Sequence, residues 1–432
     1  MERGALIQLP FPSTAAPHAA VSAYYETYAK VFREAVPEYF VPEADLWELP
    51  LWVAHLSGIL RAIGWDDILV DLSKIPASPD QCVEAILDLT HSNDWLLFSP
   101  LAQNLQLALD VSRALLKRGR RTVIGGNMAG LAAKNDATRV IRGITTPETF
   151  VVAIQGAAAL AAYREERRGV ISWIPRYDAL ATFGKRVPLL RLNASHGCLY
   201  SCTFCGDNWS RKLYLVERDA LAAEVAQFEA FFPETRLIYI GDKTFGQSPE
   251  AVQNLRDVFA RYPNYCLIVQ THVAAVDEAL VETMQALGVA IVELGFESAD
   301  LQTLRDVGKV FESERQVREV LQLLHRAGLR VVLNILGGLP GERPESHAKT
   351  VSFIEECTDT VWLYNLYNFV PYPLTPLFPR LRERIFNWTY EHWREDAPPV
   401  FEPFHISSER SWEYFLEKVA TAHRAIGGGS LQ

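Results

Sequence analysis

Three cysteines occur within eight positions near the middle of the chain. They are spaced Cys198-x₃-Cys202-x₂-Cys205, with Phe204 directly before the last of them. Thiolates are ligands of zinc and of iron–sulfur clusters, whereas core cysteines are seldom grouped among glycine and polar residues. The three remaining cysteines lie in apolar patterns and are predicted to fill the core. The trio is therefore predicted to bind a metal.

Two kinds of metal site are compatible with this spacing of cysteines. A structural zinc site needs four ligands, so His196 or a distant residue would have to complete it. A [4Fe–4S] cluster takes thiolates from short loops, and three of them leave one iron without a protein ligand. An open coordination position is where a substrate or cofactor binds, as in catalytic zinc sites. The spacing favours the cluster, and a set of three thiolates indicates catalysis rather than electron storage.

The composition indicates a globular protein of two or three domains. The chain has 432 residues, of which 49% are hydrophobic, and its net charge is −10. Phosphate backbones attract basic proteins, so a nucleic-acid partner is not expected. The sequence has no apolar run of the roughly 18 residues that span a bilayer, and its start does not resemble a signal peptide. We therefore expect a cytoplasmic protein without a membrane partner.

The first third of the sequence alternates short apolar runs with amphipathic stretches. Strands are predicted at residues 5–9, 68–72, 95–99 and 122–126, and helices at 51–64, 80–89 and 104–119. This alternation predicts a Rossmann-like, doubly wound α/β domain with a parallel sheet. Ligands of such sheets bind at the carboxyl ends of the strands, which here include Ser99, Gly125 and Gly126.

The alternation resumes after a polar, irregular stretch. Strands are predicted at residues 189–194, 236–241, 266–271, 289–295, 329–337 and 360–369. Six βα units predict a partial (β/α)₆ barrel, whose functional residues should follow the strand ends, as the cysteines follow the first strand. The predicted domains are 1–160, a linker at 161–186, the barrel at 187–376, and a C-terminal helical cap and flexible tail at 377–432.

With these residues the chain resembles the radical SAM superfamily. That family's signature is C-x₃-C-x-Φ-C, in which Φ is aromatic, and Phe204 meets it. Later segments are similar to further family motifs in the expected order: YIGDKTF (239–245), ELGFESAD (293–300), GLRVVLNILGGLPGE (328–342) and PYPLTPLF (371–378). In the last of these, Leu374 replaces the family's glycine.

The resemblance implies cofactors and a site. Cys198, Cys202 and Cys205 would hold a [4Fe–4S] cluster, with Phe204 beside it. S-adenosylmethionine (SAM) would bind the open iron and be cleaved by one electron to methionine and a 5′-deoxyadenosyl radical. By family position, the further cofactor-binding residues would be Asp242 and Lys243 at the methionyl amino group, Glu297 and Ser298 near the ribose or carboxylate, and Ile335 and Gly337 near the adenine.

The N-terminal third is similar to the cobalamin-binding domain that often precedes radical SAM domains. Asn127 and Met128 stand where the G-G-x-H pattern of that domain has its histidine. A D-x-H-x-x-G motif is absent from the sequence, and the nearest histidines, His55 and His91, are expected on helices. Two interpretations stay open: the domain binds cobalamin as a cofactor, or it is a Rossmann-like wall that only closes the substrate cavity.

The last segment carries aromatic residues at helical spacing, within residues 386–396 and 411–423. Such residues mostly pack against a core. A helical cap over the barrel mouth is nevertheless where this family usually builds substrate specificity. Tyr390, His392 and Trp393 are therefore candidate substrate contacts.

The predicted function is that of a radical SAM enzyme, of transferase or lyase type, acting on a small-molecule metabolite, for example in natural-product biosynthesis. C-methylation, rearrangement, epimerisation and deoxygenation all fit, with flavodoxin or ferredoxin as the electron donor. One alternative is cleavage of the other C–S bond of SAM, with transfer of its aminocarboxypropyl group. Another is tRNA modification, against which the acidic charge argues. The last alternative is a non-catalytic protein that binds an Fe–S cluster or zinc.

Overall fold

The computed structural model describes residues 2–40, 49–143, 145–156, 169–183, 186–206, 212–309 and 313–428. Most of the first half of the predicted linker, at 161–168, lies outside the described residues. The same holds for the end of the predicted flexible tail, at 429–432.

The N-terminal domain is built on five parallel strands. They are β1 (Arg3–Gln8), β2 (Asp66–Asp71), β3 (Trp95–Phe98), β4 (Arg121–Ile124) and β5 (Arg139–Val140), in the spatial order β2-β1-β3-β4-β5. The central strands β1 and β3 are buried along almost their whole length, as expected where helices cover both sides of a parallel sheet. The order reverses between β1 and β3, which opens a crevice at the carboxyl ends of the strands.

Four helices flank this sheet, and three of them match the predictions closely. They are α2 (Leu51–Ala62), α3 (Pro79–Leu89), α4 (Ala102–Lys117) and α5 (Pro147–Gln155). Proline occupies the first position of α3 and of α5, where its missing N–H would have no helical partner anyway. His91 lies beyond the end of α3, so the expectation that it is helical is wrong, whereas His55 does lie on α2.

The second domain is built on six parallel strands. They are β7 (Leu190–Leu192), β10 (Leu237–Ile240), β11 (Cys266–His272), β12 (Val289–Glu297), β13 (Arg330–Gly337) and β14 (Leu363–Asn368), arranged in sequence order across the sheet. Strands β7 and β14 are the two edges, so the sheet is an open, partial barrel. The predicted α/β fold class, with a Rossmann-like domain followed by a partial (β/α)₆ barrel, is confirmed.

Helices cover the outer face of the second sheet. They are α6 (Arg218–Phe231), α7 (Pro249–Phe259), α8 (Glu278–Ala286), α9 (Leu301–Asp306), α10 (Glu314–Arg326) and α11 (Pro344–Glu356). Alternate strand residues face opposite sides, so that Ile238 packs under the helices while Tyr239 belongs to the apolar cluster on the other face. The core is continuous between the domains, since Leu97 of β3 and Leu190 of β7 belong to one buried cluster.

An N-terminal helix closes the open side of the partial barrel. Helix α1 (Ala19–Ala35) packs on the second sheet, although it precedes almost all of the first. The hydroxyl of Tyr24 donates to the carbonyl of Tyr364, and that of Tyr25 donates to the carbonyl of Leu366 at 2.8 Å. Tyrosine hydroxyls thus satisfy edge-strand groups that would otherwise be open to pairing with another strand. Neither this helix nor its position was predicted from the sequence.

A small sheet leads into the cysteine loop. Strand β9 (Tyr214–Val216) pairs with β6 (Val170–Ile171) in parallel and with β8 (Ser195–His196) antiparallel. The predicted linker is therefore partly ordered by strand pairing, at Val170–Ile171. Because β8 ends two residues before Cys198, this sheet fixes where the loop begins.

The C-terminal segment contains one long helix, α13 (Ser408–Ala425), and the short α12 (Phe378–Leu381). Helical spacing within residues 386–396 did not produce a helix, apart from a 3₁₀ turn at Tyr390–His392. Trp393 is fully buried, so it packs in the core instead of contacting a substrate. Within the described residues, no helix is both long and apolar enough to cross a membrane.

A buried carboxyl lies behind the second sheet, on α6. The hydroxyl of Tyr177 is 2.9 Å from the carbonyl of Arg191 and 2.9 Å from Oε1 of Glu224. The phenol donates, and its single hydrogen is within reach of both acceptors, so Glu224 has a hydrogen-bond donor beside it but, among the described residues, no cation. Burial raises the pKa of Glu224 to about 8, although the contact with Tyr177 lowers it.

Glu224→Gln is expected to flatten the pH dependence of stability. Between about pH 4.5 and 8 the folded protein holds a proton on Glu224 that the unfolded chain releases. This group therefore contributes a loss of about 1.4 kcal/mol in the free energy of unfolding per pH unit as the pH rises through that window. Glutamine keeps a side-chain oxygen that accepts from Tyr177 but does not titrate. Urea unfolding at pH 5 to 8 measures the difference, with Glu229→Gln on the same helix as the control. Parallel curves for all three proteins would contradict the assignment.

Candidate metal centre and neighbouring cavities

The three cysteines line one cavity at the carboxyl ends of the second sheet. Cys198, Cys202 and Cys205 are half-buried there, together with Phe204. Residues at the ends of β11, β12 and β13 complete the walls and floor of this cavity, which is called the cysteine cavity below. The structure thus brings together six of the residues that the sequence predicted for the site, these four and also Lys243 and Glu297.

Backbone contacts hold the loop that carries the thiols. The N–H of Leu199 donates to the side chain of Gln247 at 3.0 Å, and the N–H of Thr203 donates to the carbonyl of Val307 at 2.8 Å. The carbonyl of Thr203 in turn accepts from Leu377 at 3.0 Å. The loop is therefore fixed by segments that follow three different strands.

Gly197 allows the chain to turn into this loop. Its φ is +96°, and a Cβ placed there would lie 2.0 Å from the carbonyl oxygen of Lys212. Both the left-handed backbone and the close approach require glycine. The residue directly before the first cysteine is thus determined by backbone geometry.

Asp242 has a structural role that the sequence did not reveal. Its Oδ1 accepts hydrogen bonds from the N–H groups of Ala194 and Ser195 at 2.7 and 3.0 Å, and its Oδ2 accepts from the Ser195 hydroxyl at 2.6 Å. Burial raises the pKa of Asp242 to about 6, although these hydrogen bonds and the charge of Lys243 lower it. The structure does not place Asp242 in the cysteine cavity, whereas Lys243 does line it.

A buried ion pair faces the cysteines across the cavity. Nζ of Lys309 lies 2.9 Å from Oε1 of Glu297, and both side chains are at most about one-tenth exposed. Burial alone would lower the pKa of Lys309, but the charges of Glu297, Cys202 and Cys205 raise it above its ordinary value. A cation is therefore held next to the thiols. Glu297 was predicted from the sequence, whereas Lys309 was not.

Strand geometry aims Glu297 into the cavity. The register between β12 and β13 shifts after Gly295, and Glu297 is the one non-glycine residue with a positive φ (68°) in the part of the chain that the structure describes. Bulges and left-handed residues of this kind cluster at functional sites, because they re-aim side chains at a cost in strain. At Gly295, a Cβ would lie 2.7 Å from Nζ of Lys309, so a larger residue there would shift the ammonium group from its present position.

The remaining predicted residues do not present their side chains to the cysteine cavity. The hydroxyl of Ser298 contacts Thr350 and accepts from the N–H of Asp300, which caps α9. Ile335 is fully buried in the cluster under the helices. At Gly337, a Cβ would meet Phe415 of α13 at 2.6 Å, so that glycine serves helix packing.

His272, at the end of β11, presents an unsatisfied donor. Its Nδ1 accepts from the N–H of Ala274 at 3.1 Å, and burial lowers its pKa to about 3, so the ring is neutral and carries its hydrogen on Nε2. This Nε2 is buried without a hydrogen-bond partner, and the residue lines the cysteine cavity. Tyr200, from the cysteine loop, stacks on the ring with centroids 4.1 Å apart. Sequence reasoning missed this residue as well.

The thiols and their surroundings fit an iron–sulfur cluster. In the described residues, no three histidine, cysteine or acidic side chains gather closely enough to hold one metal ion. A cubane cluster gives each thiolate its own iron, so its ligands surround the cluster instead of converging on a point. Three thiols on one cavity, a buried cation and an unpaired donor together suit a negatively charged cluster and a ligand with acceptor groups.

A second cavity, the interdomain crevice, lies between the two sheets. It has a volume of about 480 Å³ and is lined by Ser99, Gly125 and Gly126, as predicted from the strand ends, and by His55. Burial lowers the pKa of His55 to about 4, so its imidazole is neutral. Lys243 lines both this crevice and the cysteine cavity, which makes the two adjacent.

Comparison with protein families matches residues 192–354 to the radical SAM superfamily. This part of the chain begins at the end of β7, contains the three cysteines and extends into α11. Comparison with curated protein sequences finds no match.

Solved structures of two cobalamin-dependent enzymes share the fold. The radical S-adenosylmethionine methyltransferase TsrM from Kitasatospora setae, with cobalamin and a [4Fe–4S] cluster bound, is 14% identical, with a TM-score of 0.64 over 89% of this chain and 78% of that one. The cobalamin-dependent S-adenosylmethionine radical enzyme OxsB, with aqua-cobalamin bound, is 15% identical, with a TM-score of 0.57 over 97% of this chain and 56% of that one. At such identities the likeness is one of fold.

Proposed function

We propose that this chain, which belongs to the radical SAM superfamily through residues 192–354, is an enzyme that cleaves SAM and modifies a small organic molecule. The observation that carries the proposal is the cysteine cavity. Its three thiols share a cavity with the buried pair of Lys309 and Glu297, at the strand ends where barrels of this kind bind their ligands.

The thiols of Cys198, Cys202 and Cys205 would hold a [4Fe–4S] cluster. When bound, the cluster supplies one electron for the reductive cleavage of SAM and so gives access to hydrogen abstraction from unactivated carbon. An external reductant such as flavodoxin or ferredoxin would provide that electron. The protein itself positions the reactants and excludes water, which is the usual division of labour in cofactor enzymes.

Residues opposite the thiols would position SAM. Lys309 supplies a buried positive charge and His272 a buried N–H donor, both suited to the carboxylate of the methionyl group. Glu297 keeps Lys309 charged and in place. Asp242 acts one step away, because its carboxylate holds the backbone of Ala194 and Ser195 from which the cysteine loop starts.

The interdomain crevice would hold cobalamin. It lies at the strand carboxyl ends of the Rossmann-like sheet, next to the cysteine cavity, and TsrM and OxsB, which share the fold, are described with cobalamin bound. C-methylation with cobalamin as methyl carrier is therefore the reaction we favour. Rearrangement, deoxygenation and aminocarboxypropyl transfer are distinguished from it by the products formed from SAM.

The proposal is tested with the full chain, reconstituted anaerobically with iron and sulfide. We expect dithionite to cause cleavage of SAM, detected by mass spectrometry as 5′-deoxyadenosine, with S-adenosylhomocysteine as a second product in the methylating version. Methylthioadenosine would instead indicate aminocarboxypropyl transfer. A protein that binds four irons and leaves SAM intact under these conditions would refute the enzyme assignment.

Gly125→Phe is expected to prevent corrin binding while sparing the cluster. A Cβ at Gly125 meets nothing within 4 Å, so a large side chain would enter the open crevice without straining the backbone. We expect the absorbance titration with hydroxocobalamin to show binding by the unmodified protein and none by the variant. Ala133→Phe, at an exposed position of the same domain, is the matched control. Equal corrin binding by both variants would show that cobalamin does not occupy the crevice.

A further inference from the structure

A third cavity lies where the N-terminal domain, α1 and the end of β14 meet. Its volume is about 640 Å³, within the range of about 300–1,000 Å³ that is usual for small-molecule sites. Three tyrosines line it, Tyr25, Tyr367 and Tyr372, and it is called the tyrosine cavity below. Asn127 lines both this cavity and the interdomain crevice, so the two adjoin.

Arg394, which lines the tyrosine cavity, already has partners for its guanidinium group. Nε and Nη2 of Arg394 donate to the two carboxylate oxygens of Asp396 at 2.7 and 2.6 Å, and Nη1 donates to the carbonyl of Ala15. This bidentate pair neutralises the charges of both residues. The guanidinium of Arg394 is therefore poorly suited to bind an anionic ligand. Its third hydrogen bond, to the carbonyl of Ala15, holds the N-terminal segment in place.

Glu395 is different, because its carboxylate is open to the cavity. Its Oε1 accepts a hydrogen bond from the hydroxyl of Tyr372 at 3.2 Å, and its Oε2 has no partner among the described residues. The Glu395 side chain is in contact with solvent. The protein atoms that surround the rest of it remove part of its hydration, which raises the pKa of the carboxyl. A carboxylate in such surroundings gains from a partner with hydrogen to donate.

The tyrosines define the kind of partner that fits. The hydroxyl of Tyr367 has no hydrogen-bond partner in the described part of the chain, and that of Tyr25 is engaged by the edge of β14. Tyrosine rings beside a carboxylate attract cations, since the ring face is electronegative. Acidic ligands are disfavoured because Glu395 is unneutralised.

We propose that the tyrosine cavity binds the substrate of this enzyme and that this substrate is an amine whose ammonium group pairs with Glu395. The inference rests on the proposed function and adds to it the class of substrate. The position of the cavity agrees with this role, because Asn127 links it to the crevice proposed for cobalamin, which in turn shares Lys243 with the cysteine cavity.

The test compares two probes of the same shape that differ in charge. Phenethylamine and 2-phenylethanol are titrated into the full chain at pH 7 and followed by ligand-observed NMR. Because a hydrogen bond between two charged groups is stronger than one to a neutral hydroxyl, we expect the amine to bind about tenfold or more tightly than the alcohol. Glu395→Gln should reduce that preference to less than about twofold.

Glu391→Gln is the control, since it removes a carboxylate from the same segment outside the tyrosine cavity. It should retain the preference for the amine. Equal binding of amine and alcohol by the unmodified protein would overturn the inference without any variant. A preference for the amine that survives in Glu395→Gln would overturn it too.

Cleavage of SAM, measured on the same preparations, separates this inference from the proposed function. If SAM is cleaved but the two probes bind equally, the proposed function stands and the amine site is refuted. If the amine is preferred through Glu395 but SAM is never cleaved, the proposed function fails, and the cavity is an amine site with another purpose.

Discussion

Cys202→Ala is expected to abolish dithionite-dependent cleavage of SAM. The thiol lies on the wall of the cysteine cavity, close enough to Lys309 and Glu297 for their charges to act on it. Loss of one of three thiolates leaves a second iron without a protein ligand, so the cluster should be lost or reduced in iron. Iron and sulfide analysis, electron paramagnetic resonance and product detection measure the effect together.

Cys266→Ala is the matched control for that experiment. Cys266 is half-buried as well, but it begins β11, at the opposite end of the strand from the cavity. Burial raises the pKa of this thiol to about 11, so it stays protonated and is a poor metal ligand. We expect full iron content and unchanged SAM cleavage. Cleavage that persists in Cys202→Ala, or disappears in both variants, would contradict the assignment of the three ligands.

Lys309→Met is expected to have two effects, one on stability and one on SAM binding. Removal of one partner of a buried ion pair leaves an uncompensated charge, here on Glu297, which costs about 3–5 kcal/mol of unfolding free energy. Loss of a charge-assisted hydrogen bond should also weaken SAM binding by about tenfold to a hundredfold. Urea unfolding and equilibrium dialysis with labelled SAM measure the two effects.

The double variant Glu297→Gln/Lys309→Met separates the effect on stability from the effect on SAM binding. Glutamine has nearly the volume of glutamate and leaves no buried charge, so most of the lost stability should return. The affinity for SAM should stay low, because the positive charge next to the thiols is still missing. If SAM binding recovers together with stability, Lys309 has only a structural role in the cavity.

The strands were the part of the fold most accessible from the sequence. Strands of a parallel sheet are buried on both faces and appear as short, nearly continuous apolar runs, as residues 266–271 and 329–337 do. Their alternation with helices then leaves few topologies. The positions of the cysteine loop and of the interdomain crevice could be predicted from that topology. In parallel sheets, ligands bind to the residues that follow the carboxyl ends of the strands.

Contacts between distant segments could not be predicted in this way. Lys309 and His272 reach the cysteine cavity from the ends of two other elements, and neither carries a local pattern that distinguishes it from a surface or core residue. Asp242 shows the opposite error. Its position after a strand predicts a contact with a ligand, but its carboxylate accepts hydrogen bonds from the backbone of Ala194 and Ser195 instead. Local sequence gives the position of a residue on its strand, but not the partners that tertiary packing brings to it.

The helix that closes the barrel also has a consequence for biosynthesis. Tyr25 emerges from the ribosome 341 positions before Leu366, whose carbonyl it caps. At about 5–20 residues per second, α1 must wait roughly 20–70 s for the last strand to be made. Until then, the tyrosines of α1 have no β14 to pack against in the nascent chain. Translation that stalls before β14 would therefore release a product with an uncovered strand, prone to self-association.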